Sequence, residues 1–364
     1  MQTYPSPTAE AINQFDIDQP RNEHRFDLPA SLRQWVIDTL LKRNEEKNIY
    51  VFLVAVNILL TSIPLAIGLF WLEGKIHPAL MIVLGFGYFA FHFVTYARSF
   101  ILALHYSTHT SIFNKKFRGL KHIYGSFLSC FFGIPPNIYY AHHIAMHHCE
   151  DNVAPKDLSS TMIYRRDSKW HHFLYMLRFA VAIWVELPYL LFRQGRYQVV
   201  TQCLAGELFF FGTSAYLFSL RPIATFFVFL FPVVFISFAM MQGNWKQHIF
   251  VDPDEPDNNY KSTFTCINTV SNSRNFNDGY HIEHHENPGV PWHRLPEYFQ
   301  ANLKNHAEND SFIFSGIGAM QVGTLVLNGE FDKLAEFYVN IGQKERTKDE
   351  LIAEFKRRLI AVKL

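Results

Sequence analysis

Apolar and polar positions along the chain fall into long blocks, not short alternations. Residues 50–72 carry no charge, and a helix of that length, at 1.5 Å per residue, crosses a hydrocarbon core about 30 Å thick. Glu73-Gly-Lys-Ile-His77 turns the chain, and residues 78–97 form a second block. The apolar pattern then runs on through Phe100, Ile101 and Leu104 into His105. This predicts one long helix that leaves the bilayer and presents His105 and His109, at i and i+4, on a single face. Residues 122–140 are apolar but broken by Gly133-Ile-Pro-Pro136, which predicts an interfacial or re-entrant piece. Three further blocks follow at 173–192, 203–220 and 222–241.

The flanks are polar. Residues 1–48 hold one amphipathic stretch (Leu32, Trp35, Val36, Thr39 and Leu40, after Leu28-Pro29-Ala30-Ser31), which either lies on a membrane surface or caps a soluble region. Glu10, Asp16 and Asp18, with no early apolar run, do not make a secretory signal, so the first span is expected to serve as the anchor. Beyond residue 243 the chain reads as soluble. Residues 312–327 are apolar and glycine-rich and should pack against that soluble part, and Thr347-Lys-Asp-Glu350 is a capping box opening a final helix.

Composition agrees with a membrane protein: 49% of residues are hydrophobic, 16% aromatic and only 18% charged. A net charge of +1 and the lack of a basic patch interleaved with aromatics give no reason to expect nucleic acid as a partner. Cys130, Cys149, Cys203 and Cys266 are far apart, without a CxxC, and read as scattered reduced thiols.

What changes the picture is histidine. His105 and His109; His142, His143, His147 and His148; and His281, His284 and His285 make nine of the 18 histidines, gathered in three short stretches. Neutral imidazole binds Fe, Zn, Cu and Ni, and a structural zinc site needs only four ligands. So many clustered rings suit two metals, each with several nitrogen ligands and an open position. Asn244-Trp-Lys-Gln-His248 follows the last apolar block, and beside the other clusters His248 reads as a further ligand. His92 lies alone inside a span and reads as a packing or tunnel residue.

Metal sites built from all three stretches must lie on one side of the membrane. One of the last three apolar blocks therefore does not cross. Residues 173–192, with Arg178, Glu186 and Pro188, are assigned to the interface. The expected fold is an all-α integral membrane protein with four transmembrane helices (about 50–72, 78–97, 203–220 and 222–241) and a cytoplasmic helical domain carrying a di-metal histidine site. The short turns between spans hold only Lys75 and Arg221, which puts the histidine side in the cytoplasm. The expected divisions are an N-terminal segment over 1–48, a membrane domain over 49–300 and a helical region over 301–364.

The motifs HxxxH (His105, His109), HxxxHH (His143, His147, His148) and HxxHH (His281, His284, His285) resemble the three histidine boxes of the membrane fatty acid desaturase superfamily, in order, spacing and placement outside spans two and four. The stretch His285-Glu-Asn-Pro-Gly-Val-Pro291 is similar to the HHxxP continuation found there. The resemblance covers roughly residues 50–300. It implies two iron ions, O2 as co-substrate and attack on an unactivated C–H bond of a lipid or acyl substrate taken from the bilayer. It also implies that Asn244 and His248 match an NxxxH element whose histidine is a ligand and whose Asn lies near the second iron; His142 and His143 could exchange roles. Asp151, Asp157, Asp278 and Glu283 are candidates to orient the rings. No HPGG haem-binding motif occurs, so the electron donor should be a separate protein, cytochrome b5 or a ferredoxin with its reductase. Box three begins with His281 and not Gln, which argues against the front-end subgroup. The membrane would be endoplasmic reticulum in a eukaryote and the inner membrane in a bacterium.

Three functions fit to different degrees. A lipid desaturase making a C=C bond leads. A hydroxylase or ketolase of the same architecture, acting on an acyl chain, alkane, sterol or carotenoid, shares the metal site. A non-enzymatic metal transporter would need ionisable residues along its spans, and spans one and four carry none.

Overall fold

The structure is a computed structural model that describes residues 26–342 and 344–363; the expectations resting on Glu10, Asp16 and Asp18 lie outside these. Five helices are long and apolar enough to cross a membrane: Asn48–Leu72, Pro78–His109, Lys169–Arg193, Tyr197–Leu220 and Pro222–Gln247. The block expected at the interface, Lys169–Arg193, stands among them on length and composition. Its exposed side from Phe173 through Leu177, Val181, Val185 and Tyr189 to Phe192 is an apolar stripe, while Tyr175, Phe179, Ile183, Leu187 and Leu191 are buried. The amphipathic stretch near the N-terminus is the helix Ala30–Thr39, with Leu32 and Trp35 exposed. The chain divides into two compact units, Asn22–Ala145 with Trp184–Phe238, and Met146–Ile183 with Ala239–Leu364.

In the first unit, Asn48–Leu72 and Pro78–His109 form a hairpin. The second of these helices widens into a π turn at Phe93–Ala97, one helical stretch ahead of His105. Glu73, buried in the turn between them, accepts from the backbone N–H groups of Ile223 and Ala224 at 2.9 and 2.8 Å. Those donors open the helix that starts at Pro222 and have no partner within it. A carboxylate placed there also faces the positive end of the helix dipole. His92 is held by Ser62 Oγ at 2.6 Å and the Phe131 carbonyl at 3.1 Å, so it packs inside the unit as an anchored polar residue.

The broken segment around Gly133-Ile-Pro-Pro136 fits against the later helices only because two positions lack a Cβ. Gly133 has φ +76°, and a Cβ there would lie 2.3 Å from the Val233 backbone nitrogen. A Cβ on Gly206 would lie 1.8 Å from the Pro136 carbonyl oxygen, which is backbone and cannot swing aside. Gly206→Ala is therefore expected to destabilise the purified protein by about 1–3 kcal/mol, despite alanine's better helix propensity. An unchanged thermal midpoint would show that the contact is slack.

The second unit departs from a purely helical expectation. Phe264–Ile267 and Phe312–Ser315 pair as two parallel strands, with Phe264 opposite Phe312 and Ile267 opposite Ser315. Parallel strands need a long crossover, and here the crossover carries the third histidine stretch. The apolar residues after Phe312 thus begin as a strand and continue as the helix Ala319–Asn328. Around the sheet Phe250, Phe264, Phe312, Phe314, Tyr338 and Phe355 pack ring on ring, with Phe250 and Phe312 centroids 5.1 Å apart. Phe355 arrives on the helix Lys348–Arg357, which opens on the expected capping box between Thr347 and Glu350.

Candidate metal centre

The first unit brings together the first stretch and the opening of the second. His105 and His109 end the helix that begins at Pro78, and His143 lies on the π-helical segment Tyr140–His147. One nitrogen from each of these three rings lies within 4.8 Å of the others. The Nε2 atoms of His109 and His143 are 2.9 Å apart. His142 is buried beside His143, but it is His143 that joins the group.

The second unit brings together the rest. His248 sits just past the helix Pro222–Gln247. The short helix His281–Glu286 places His281, His284 and His285, at i, i+3 and i+4, on one side. His147, His248 and His285 are buried, and one nitrogen of each lies within 4.8 Å of the others. His281 flanks this trio, its Nε2 3.3 Å from His248 Nε2. His148 and His284 meet as a second pair, Nε2 to Nε2 at 3.0 Å.

The box-three helix is set by its approach. The Cys266 N–H donates to the Gly279 carbonyl at 2.7 Å, and Asn272 Nδ2 donates to the Cys266 carbonyl at 2.9 Å. A Cβ on Gly279 would fall 2.2 Å from Asn272 Oδ1, so glycine is required two residues before His281. Just upstream, Phe276 holds φ +50°, an unfavourable region for a bulky residue, and packs edge-on against Trp292 with ring centroids 5.2 Å apart.

Behind the trio, His147 and His248 are each fixed by the outer nitrogen. His147 Nδ1 lies 2.7 Å from Asp157 Oδ2, and Asp157 Oδ1 accepts from the Ser159 N–H and hydroxyl. His248 Nδ1 lies 3.1 Å from the Ser262 carbonyl, which can only accept, so that nitrogen carries the proton. The Gln247 amide nitrogen bridges Asp278 and His281 Nδ1, at 2.7 and 3.1 Å. Burial holds His248 well below the ordinary imidazole pKa, and the nearby His285 and His147 push the same way. His248 is therefore neutral, with the Nε2 lone pair turned towards its neighbours.

This donor set fits a transition metal. In His147 and His248 the proton is fixed on the outer Nδ1 and Nε2 turns inward, an arrangement that a cation stabilises and water-free burial alone does not. Two imidazole nitrogens bonded to one metal at about 2.1 Å, with an angle between 90° and tetrahedral, lie roughly 3.0–3.4 Å apart. The Nε2 pairs His109–His143 at 2.9 Å, His148–His284 at 3.0 Å and His248–His281 at 3.3 Å match that spacing. A buried carboxylate behind a ligating histidine is a recurrent outer partner of metal sites. Asp157→Asn is expected to lower metal affinity and turnover about 10–100-fold while the protein stays folded. Unchanged metal content and rate would remove Asp157 from any role at the centre.

The four acidic candidates separate by geometry. Asp157 touches His147 directly, and Asp278 reaches His281 through Gln247. Asp151 stays 3.8 Å from His285 Nδ1, beyond hydrogen-bond range. Glu283 points the other way, to Thr265 Oγ1 at 2.9 Å and His306 Nε2 at 2.7 Å, and clamps the box helix to the strand. Asn244 is engaged with the Ser159 carbonyl and the Tyr175 hydroxyl, at 3.0 and 2.7 Å. Sequence reasoning did not single out Gln247, Ser262 or His306. Gln247 stands next to His248, which was its one available signal; Ser262 acts through a backbone carbonyl, which no side chain announces.

The fatty acid desaturase family model matches residues 78–315, more than half of the chain and all three histidine stretches. No curated protein and no solved structure matches it. The matched region contains the apolar helices and the histidine groups just described, so the chain is a membrane protein with an oxidoreductase fold of the desaturase and hydroxylase type. It belongs to the fatty acid desaturase family.

Proposed function

We propose that this protein is an O2-dependent lipid desaturase that introduces a C=C bond into a fatty acyl chain at a di-iron centre. The observation that carries the reading is the buried trio of His147, His248 and His285, with the protons of His147 and His248 fixed outward by Asp157 and the Ser262 carbonyl. With His281 beside it, this group would hold one iron, and the remaining box histidines are the ligands left for another. Bound iron would supply the redox chemistry, in which O2, two external electrons and two protons, with two hydrogens from neighbouring carbons of the acyl chain, give the C=C bond and two water molecules.

The chain's own residues do the rest. Asp157 keeps the proton of His147 at Nδ1, and the Ser262 carbonyl keeps that of His248 at Nδ1, so both rings face inward in one tautomer. Trp245 and Phe250, both buried, stand on either side of His248 in the sequence and keep this stretch dry. Four crossings with Lys169–Arg193 along the interface would leave every box on one side, the cytoplasmic one. The electrons then come from a separate cytochrome b5 or ferredoxin.

A hydroxylase uses the same ligands and parts from the desaturase only in where the oxygen ends. The lipid mass profile of cells expressing the wild type beside His284→Ala decides between them. A product lighter by two hydrogens, absent from the variant, is expected. A product heavier by one oxygen would overturn desaturation and leave the metal site standing.

A further inference from the structure

The first unit contains a cavity of about 380 Å³ whose lining includes none of the histidines of the metal centre, a volume in the range of small-molecule sites. It lies between Leu104 and Thr108 at the end of the helix Pro78–His109, Gly125 and Ser126 on the π-helical segment Ile123–Leu128, and Gln198 and Gln202 at the start of the helix Tyr197–Leu220. The apolar blocks 78–97 and 203–220 of these helices stop short of the cavity, so in the four-span reading its lining stands on the polar flank of both spans, towards the lipid headgroups. We infer that this cavity binds the phosphate-bearing headgroup of a bilayer lipid.

Charge is the first reason. Lys121 and His122 line the cavity, and none of its lining residues is a carboxylate. Lys115, Lys116 and Arg118 precede Lys121 on the same exposed turn, so the approach is cationic as well. Neutral polar groups come second: Asn137, Tyr140, Gln198 and Gln202 add amides and a phenol to the wall. No side chain caps the helix that starts at Tyr197, and its first-turn residues Gln198 and Val199 line the cavity, so the positive end of that helix adds to the same field.

The third reason separates a lipid from a free anion. Phe209 and Tyr216 follow Gln202 at seven-residue steps on the same helical face, and they are 60% and 65% exposed. A lipid whose phosphate sits beside Lys121 and Gln202 would therefore lay its chains along an apolar strip already in register. Free phosphate has no use for that strip. The site stands independently of the desaturase reading and would persist if the protein oxidised a different substrate.

The test is native mass spectrometry of the full chain, released from a neutral detergent after incubation with dioleoyl phosphatidylglycerol, dioleoyl phosphatidylcholine or inorganic phosphate. One saturable lipid adduct is expected, stronger for the anionic lipid and not displaced by inorganic phosphate. Lys121→Glu should weaken it by about tenfold, the scale of one charge-assisted contact. Lys116→Glu, on the same turn but outside the cavity, should change it much less. Gly125→Leu tests the cavity without altering charge: a Cβ there meets nothing closer than Leu104 at 3.8 Å, so the larger side chain has room to enter and should also displace the lipid. Equal weakening by the two lysine variants would reduce the effect to diffuse surface charge and overturn the site. So would an adduct untouched by Gly125→Leu, or one that inorganic phosphate displaces stoichiometrically.

Discussion

Replacing His285 with alanine is expected to abolish turnover and to strip metal from the purified protein. His285 is the most connected imidazole of its unit: its ring centroid lies 5.2 Å from that of His147, 4.6 Å from His148, 4.8 Å from His248 and 4.8 Å from His281. Removing it takes one nitrogen from the buried trio and leaves His147 and His248 with too few partners to hold an ion. Losing an outer partner of a ligand already costs about 10–100-fold in affinity or activity, so losing the ligand itself should cost more than about 100-fold. Metal analysis and turnover should fall together, while circular dichroism stays that of a folded helical protein. A His285→Ala protein with full metal content and wild-type turnover would reject the trio as ligands, and with it the proposed centre.

The histidine groups could be read in advance because ligation imposes a local spacing. The HxxHH stretch needs only one and a half helical turns to bring His281, His284 and His285 to one side, and the structure forms that helix over His281–Glu286. Long apolar blocks are equally local, which is why the helices Asn48–Leu72 and Pro78–His109 follow the pattern closely. What escaped is non-local. The strand Phe312–Ser315 pairs with Phe264–Ile267 across the whole box-three crossover, and no periodicity in four residues reveals a partner that far away. Residues 150–170 are mostly polar in sequence, yet Asp157 and Ser159 are buried behind His147 and Arg166 is fully buried. Arg166 and the Ser159 carbonyl meet groups from distant parts of the chain, and Asp157 meets a histidine whose burial the sequence does not announce. The side on which Lys169–Arg193 lies is set by the bilayer, which leaves the same mark on an interfacial helix as on a crossing one.

The variant with the largest expected effect on stability is Arg166→Ala. The Arg166 side chain has no exposed surface. Its Nε donates to the Ile249 carbonyl at 3.0 Å. Its Nη1 donates to the carbonyls of Thr161, Met162 and Tyr164 at 3.1–3.2 Å. Its Nη2 reaches those of Val251, Arg358 and Ile360 at 3.4, 3.0 and 2.6 Å. One guanidinium thus pins the segment following His147, the segment following His248 and the end of the chain to one another. Burial pulls its pKa down to about 9 against the opposing charge of Asp167, so at neutral pH it sits in the core charged, balanced by carbonyl dipoles. Truncation takes the guanidinium donor from the carbonyls of Tyr164, Ile249, Val251 and Ile360, while those of Thr161, Met162 and Arg358 keep a backbone N–H donor. Each such loss costs about 1–3 kcal/mol, and breaking a buried charged network typically costs about 3–5 kcal/mol, a large part of the roughly 5–15 kcal/mol that holds a domain folded. Arg166→Lys keeps the charge but replaces a planar five-donor fork with three donors at one point, so it should rescue little. Thermal unfolding with limited proteolysis near the C-terminus measures both variants. If Arg166→Lys restored the wild-type midpoint, charge alone would account for the position, and the fork of carbonyl contacts would carry no weight in stability.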